Sequence, residues 1–392
     1  MTVIDLREYG PEFTANPHPH YAALRASGPV HEIITPEGSP AWLIVGYDEA
    51  RAALTDQRFT KDGAFTGFVP PEVEIIGPHL LAADPPDHTR LRKLVAREFT
   101  GRRVEALRPR VRQLADELLD MMAPAGRGDL VDAFAFPLPI TVICELLGVP
   151  VADRDTFRAW SHEIVAPSGA VAEEEAIKGF AAYLDTFIED KRAAGPGDDL
   201  LSALIAARAE DGDRLSLPEL RGLAQLLIVA GHETTANLIG TTVRLLLTHP
   251  EQLAAVRADF GLLPGAIEEV LRHDGPVETA TYRFTREDVT IGDTVIPARS
   301  VAVVGIASAG RDPSRFPEPD RFDIHRDTRG HLGFGHGIHF CLGAPLARLE
   351  GEIAVRALLE RFPRLALDPE APPLEWMPSI LIRGPRHLPV LW

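Results

Sequence analysis

What most limits how this chain can fold is a run of 32 residues, Leu217 to Thr248, that reads as one helix. Ser216-Leu-Pro-Glu219 in front of it is a capping box. The Ser and Glu side chains satisfy each other's free backbone N–H groups, and Pro sits in the first turn, where its missing N–H costs nothing. No strong stop comes before His249-Pro250. At about 1.5 Å per residue the helix is roughly 48 Å long. A helix that long, with Leu226-Leu-Ile-Val-Ala230 at its middle, must run through the interior. Inside it Gly231, a poor helix former, stands beside the polar pair Glu233 and Thr234. A local rule broken within a consistent element is where functional sites tend to lie.

The rest of the chain fits around that element. The stretch from His88 to about Asp259 reads as almost wholly helical, with Leu114, Leu118 and Met121 marking one amphipathic face. A last helix runs from Ala344 to Phe362. Strand signals are short: Trp42 to Val45, Val289 to Ile291, Val295-Ile296 and Val301 to Val304. The expected fold is mainly α with a smaller β-rich part. We place β-rich portions at about 28–60 and 277–330 plus C-terminal strands, and helical portions at about 88–275 and 344–362. No repeat or composition break marks a linker, so 1–392 reads as a single domain. The Gly- and Pro-rich text from Lys61 to Asp87 is a long loop, and its apolar residues suit the lining of a pocket.

Forty Lys plus Arg against fifty-seven Asp plus Glu leave a net charge of −17, which argues against a general nucleic-acid binder. The first thirty residues hold no signal-peptide core, and no stretch approaches the roughly 20 apolar residues of a membrane span. A cytoplasmic protein without membrane attachment is expected.

The two cysteines, Cys144 and Cys341, exclude a disulfide framework and a four-cysteine metal site. Cys144 lies in a helical Ile-Cys-Glu-Leu pattern and should be a buried bystander. Cys341 lies in Phe334-Gly-His-Gly-Ile-His-Phe-Cys341-Leu-Gly-Ala-Pro-Leu-Ala-Arg348. The glycines let the backbone bend and approach something flat. Ala344 and Pro345 then start a helix, so the cysteine stands just ahead of free amides that stabilise a thiolate. Such a thiolate makes a strong single axial ligand to a metal. Most lone cysteines are instead buried and structural. Zinc held by His331, His336, His339 and Cys341 is a third reading, with poor spacing for a tetrahedral site. His232-Glu233 does not continue into a zinc-protease motif, because Ala236 stands where the second His is needed.

Phe334 to Gly343 resembles the haem-ligand signature of the cytochrome P450 family, Phe-Gly-x-Gly-x-His-x-Cys-x-Gly, and further family landmarks follow the same order along essentially the whole chain. The resemblance implies the cytochrome P450 fold with the long central helix over the haem. It implies haem b with Cys341 as the axial thiolate and metal ligand, and Phe334, Gly335 and Gly343 around it. Thiolate ligation favours O–O cleavage. Ala230-Gly231-His-Glu233-Thr234-Thr resembles the family's oxygen-activation motif. There Gly231 would let the helix open locally, and Glu233 and Thr234 would be the acid–alcohol pair that guides protons. His88, Arg92, Arg283 and His339 match propionate partners. Glu269 and Arg272 match a buried Glu-x-x-Arg pair, with Arg321 as the expected third member.

The resemblance also implies what the protein does. It would be a haem-thiolate monooxygenase, with electrons passed from NAD(P)H through external ferredoxin reductase and ferredoxin to a monomeric enzyme. From His88 to Arg112, nine Lys or Arg against two acids give a local surplus that would suit an acidic donor. The wording of the chain is most similar to members that tailor macrolides and related polyketides. Expected substrate contacts are Phe65, Phe68, Ile76, Val229, Ala280, Ile380 and Leu381, mostly apolar. A steroid or terpenoid would fit nearly as well. Epoxidation, desaturation or ring coupling on the same fold is the second reading, and a non-enzymatic haem sensor the remotest.

Overall fold

A computed structural model describes the chain except residues 1–2, 37, 67–73 and 208–213 and the side chains of Phe65 and Val151. The fold is mainly α with a smaller sheet part. Two compact units are present: residues 1–60, 107–138 and 234–392 form one, and 61–106 with 139–233 the other.

The long helix spans Leu217–Thr248 and gives its first half to one unit and its second half to the other. Its capping box is formed. The Ser216 N–H and hydroxyl both donate to Glu219 Oε2, at 2.8 and 2.9 Å, and the Glu219 N–H returns to Ser216 Oγ at 3.4 Å. The stop is His249, whose backbone leaves the helical region ahead of Pro250, as the steric demand of proline on its predecessor requires. Two glycines allow close approach: a Cβ at Gly222 would lie 2.5 Å from the carbonyl oxygen of Pro78, and one at Gly231 would lie 3.1 Å from Ile143 Cγ1. The expected opening at Gly231 is not seen. The helix is continuous there, and the glycine serves packing against Ile143.

In the first unit, six strands pair in the order Ile4–Asp5, Val30–Ile34, Pro40–Ile44, Val301–Val304, Arg283–Thr285, Phe59–Thr60. The central strand Val301–Val304 is parallel to Pro40–Ile44 and antiparallel to Arg283–Thr285, so Ala302 pairs with both Trp42 and Arg283. A strand at Arg127–Asp129 interrupts the stretch expected to be helical, because it pairs with Pro389–Leu391 at the far end of the chain. The helix Arg108–Met122 buries Val111, Leu114, Ala115, Leu119 and Met122. Met121, expected on that face, is 71% exposed. The apolar stripe is wider than the chosen triplet and runs one residue past Met121.

In the second unit, the helices Arg154–Val165 and Ala170–Ala194 pack through an aromatic cluster in which Trp160 stacks on Phe180 with centroids 5.4 Å apart. Cys144 is fully buried, and burial pushes its thiol up to about 12. Burial of this kind disfavours the thiolate that a metal ligand or nucleophile needs.

Candidate active site

Cys341 closes a tight loop. Gly335 and Gly337 adopt φ of +73° and +76°, the left-handed region that favours glycine. The Gly335 N–H donates to the Leu332 carbonyl at 2.7 Å, and the Cys341 N–H to the Phe334 carbonyl at 2.9 Å. Gly343 then caps the helix Ala344–Arg361, with Pro345 in its first turn. Cys341 is exposed and stands just ahead of that helix N-terminus.

The loop is braced by residues that no local pattern announces. The Arg348 guanidinium lies over the Phe334 ring, 4.5 Å from its centroid. Arg348 donates to both oxygens of Glu268, at 2.5 and 2.9 Å. His331 Nδ1 accepts from the Gly333 N–H at 3.1 Å, so Nε2 carries the proton it gives to Glu268 at 2.9 Å. Burial pushes the Glu268 carboxyl up, but His331 and Arg348 outweigh it and hold the group down at about 2. This occupation of His331 also removes it from the zinc reading. Among the described residues, one group of at least three His, Cys, Asp or Glu could hold a metal, Asp129 with Asp132 and His387, and Cys341 is not in it.

Glu269 and Arg272 lie one turn apart on the helix Leu263–Asp274, both side chains at 0% exposure. Arg272 donates to the two Glu269 oxygens at 2.7 Å each, and to the carbonyls of Gly310 and Pro319 at 2.8 Å each. The third member is Arg326, whose Nε reaches Glu269 Oε1 at 3.3 Å. Arg321, expected there, has a side chain 60% exposed and contributes its backbone carbonyl to Arg272. The meander folds back on Glu269, whose Oε1 also receives the Asp323 N–H at 2.9 Å, and this brings Arg326 inward. Removing one partner of a buried pair leaves the other charge unpaired. Arg272→Ala is therefore expected to cost about 3–5 kcal/mol in denaturant unfolding, and Arg321→Ala within about 0.5 kcal/mol of zero. A large loss for Arg321→Ala would reverse the assignment.

On the long helix, Leu227, Ala230, Gly231 and Thr234 are partly or fully exposed, while Ile228, Val229, His232, Glu233 and Thr235 are buried. The open positions follow i, i+3, i+4, i+7 and so lie on one face. Three of these four positions, Ala230, Gly231 and Thr234, carry small side chains, a shape a flat group can lie against.

The other expected cofactor contacts are placed separately. His88 and Arg92 lie four apart on the helix Asp87–Ala96, His88 buried and Arg92 half-buried. Arg283 is buried on its strand, and His339 is half-buried in the turn Gly337–His339.

Of the expected substrate contacts, Ala280 and Leu381 are half-buried. Their segments are tied together, since the Glu278 N–H donates to the Leu381 carbonyl and Thr279 Oγ1 to the Ile380 carbonyl, both at 2.9 Å. Ile76 sits in a small core cluster. It is fully buried against Ile177 and Ala181. Ile380 belongs to a core cluster with Leu43 and Val303, and Val229 is 8% exposed. Apolar character alone does not separate a core side chain from a lining one. Phe68 and the Phe65 side chain lie outside the described residues.

The cytochrome P450 family model matches residues 171–388. The chain is 56% identical over 393 residues to the cytochrome P450 monooxygenase PikC of Streptomyces venezuelae, covering 100% of this chain and 94% of that protein. This chain belongs to the cytochrome P450 family. It is 49% identical over 387 residues to the 6-deoxyerythronolide B hydroxylase of Saccharopolyspora erythraea, covering 94% of each. The tirandamycin C-bound P450 monooxygenase TamI superposes with a TM-score of 0.91 at 44% identity, covering 99% of both chains. The protein is thus an oxidoreductase, and P450 membership implies a haem with thiolate ligation. No described helix is long and apolar enough to cross a membrane.

Proposed function

We propose that this P450 inserts one oxygen atom of dioxygen into a bulky, mostly apolar polyketide, hydroxylating a macrolide or a related ring. The carrying observation is the Cys341 loop: one exposed cysteine ahead of a helix, bent by left-handed glycines, outside the one multidentate cluster found among the described residues. That donor set would hold a haem iron through a single thiolate. The small-residue face at Ala230, Gly231 and Thr234 suits a planar partner. Haem bound through Cys341 supplies dioxygen reduction and oxygen insertion. His88, Arg92, Arg283 and His339 would bind its carboxylates through charge-assisted hydrogen bonds. Thr234 Oγ1 would present a proton at the site, and the Glu233 carboxylate would replenish it. The whole of 1–392 would act as one catalytic domain, monomeric and cytoplasmic.

Electrons would come from NAD(P)H through ferredoxin reductase and ferredoxin. The basic stretch from His88 to Arg112 supports an acidic donor, although much of its charge is already paired. Arg112 bonds Asp116 at 2.9 Å and Glu360 at 3.0 Å, and Arg108 reaches Glu352 at 3.5 Å.

Relatives named for polyketide biosynthesis and for mycinamicin IV hydroxylation and epoxidation support the substrate class. A relative 48% identical and named vitamin D(3) 25-hydroxylase keeps the steroid alternative in view. Titration with macrolactones, linear polyketides, steroids and terpenes should shift the Soret band toward the high-spin position, macrolactones at the lowest concentrations. A panel in which only steroids shift the band would overturn the polyketide reading. Product mass separates hydroxylation or epoxidation, which add one oxygen, from desaturation, which removes two hydrogens.

A further inference from the structure

His232 stands on the long helix between Gly231 and Glu233 and is fully buried, at 0% exposure. Its Nδ1 lies 2.7 Å from the carbonyl oxygen of Ile228, one turn back. A carbonyl only accepts, so Nδ1 carries a hydrogen. The other ring nitrogen, Nε2, lies 3.4 Å from Glu233 Oε1. With Nδ1 protonated, a neutral ring turns a lone pair toward the carboxylate, and two acceptors facing each other in a buried, low-dielectric place repel. The contact is attractive when one proton lies between the two atoms, on either of them. Glu233 is itself 7% exposed. Burial pushes its carboxyl up, but His232 and, from the helix Arg154–Val165, His162 and Arg158 outweigh this and hold it below the usual carboxylate range.

Resting on the reading that Glu233 replenishes Thr234, we propose that His232 and Glu233 hold one proton in common, and that His232 Nε2 recharges the Glu233 carboxylate from inside the protein. The step is a single proton transfer. The Nε2–H bond breaks, the Oε1–H bond forms, and imidazolium with carboxylate becomes imidazole with carboxylic acid. No electrons move and the pair keeps its net charge. Once Glu233 has given the proton up, a lone pair faces a carboxylate, and one proton taken up from water restores the shared state. His232 acts through Glu233 and is a positioning residue.

The test uses the haem-loaded enzyme labelled with ¹⁵N-histidine, reduced and bound to carbon monoxide so that the iron is diamagnetic. His232 Nδ1 should resonate as a protonated nitrogen. Its Nε2 should move toward the unprotonated position in Glu233→Gln, whose amide cannot share a proton. His232→Gln should lower product per reducing equivalent about tenfold or more, with peroxide-driven turnover within about twofold of wild type. An Nε2 signal unmoved by Glu233→Gln, or a His232→Gln enzyme as tightly coupled as wild type, overturns the proposal. If Glu233→Gln and Thr234→Ala also stay fully coupled, the acid–alcohol reading itself fails. If those two uncouple and His232→Gln does not, only the role of His232 falls. Should His232→Gln fail to load haem, the nitrogen signals of the wild type and Glu233→Gln decide.

Discussion

Cys341→Ser is expected to abolish oxygenation while leaving the polypeptide folded. Cys341 is exposed, so serine opens no cavity, and the loop is held by backbone bonds that the substitution does not touch. The Phe334–Arg348–Glu268–His331 brace also remains. What changes is the ligand. A serine hydroxyl ionises far less readily than a thiol beside a helix N-terminus, and it lacks the soft sulfur that pushes electron density onto a haem iron. Thermal unfolding of the apoprotein should therefore stay within a few degrees of wild type, while product formation falls to background. Cys144→Ala should retain activity, since that thiol is buried and protonated.

Thr234→Ala should separate electron consumption from product. The side chain is half-buried on a continuous helix, and alanine is the better helix former, so fold and haem content should hold. Oxygen insertion consumes protons, and an apolar site supplies none by itself. Positioned proton transfer is typically worth roughly 10²–10⁴-fold. Product per reducing equivalent should therefore drop sharply, with the balance appearing as peroxide or water. Hydrogen peroxide brings its own protons, and the mutant driven by it should lose much less activity. Coupling as tight as wild type with a ferredoxin donor would show that a substrate hydroxyl or ordered water carries the proton in place of Thr234.

What could be read from the chain was local. The capping box at Ser216 and Glu219, the proline stop after His249, and the glycine loop around Cys341 are written within a few residues of the structure they produce. The missed features depend on partners far away. Arg127–Asp129 becomes a strand only because Pro389–Leu391 lies beside it. Glu268 meets Arg348 and His331 across 80 and 63 residues. Arg326 rather than Arg321 turns inward because the meander between them folds back on Glu269, which also receives the Asp323 N–H at 2.9 Å. Ile76 and Ile380 show the same limit: an apolar residue in the right segment can belong to the core as readily as to a ligand. Gly231 was legible as an exception, but its cause, the approach of Ile143, was not.

The carbon-monoxide spectrum of the reduced protein, wild type beside Cys341→Ser, tests the thiolate assignment most directly. The account predicts the red-shifted Soret band of a thiolate-ligated haem in the wild type and its absence in Cys341→Ser. A wild type lacking that band when fully loaded with haem, or a Cys341→Ser protein that keeps it, would contradict the assignment of Cys341 and the oxygenation chemistry built on it.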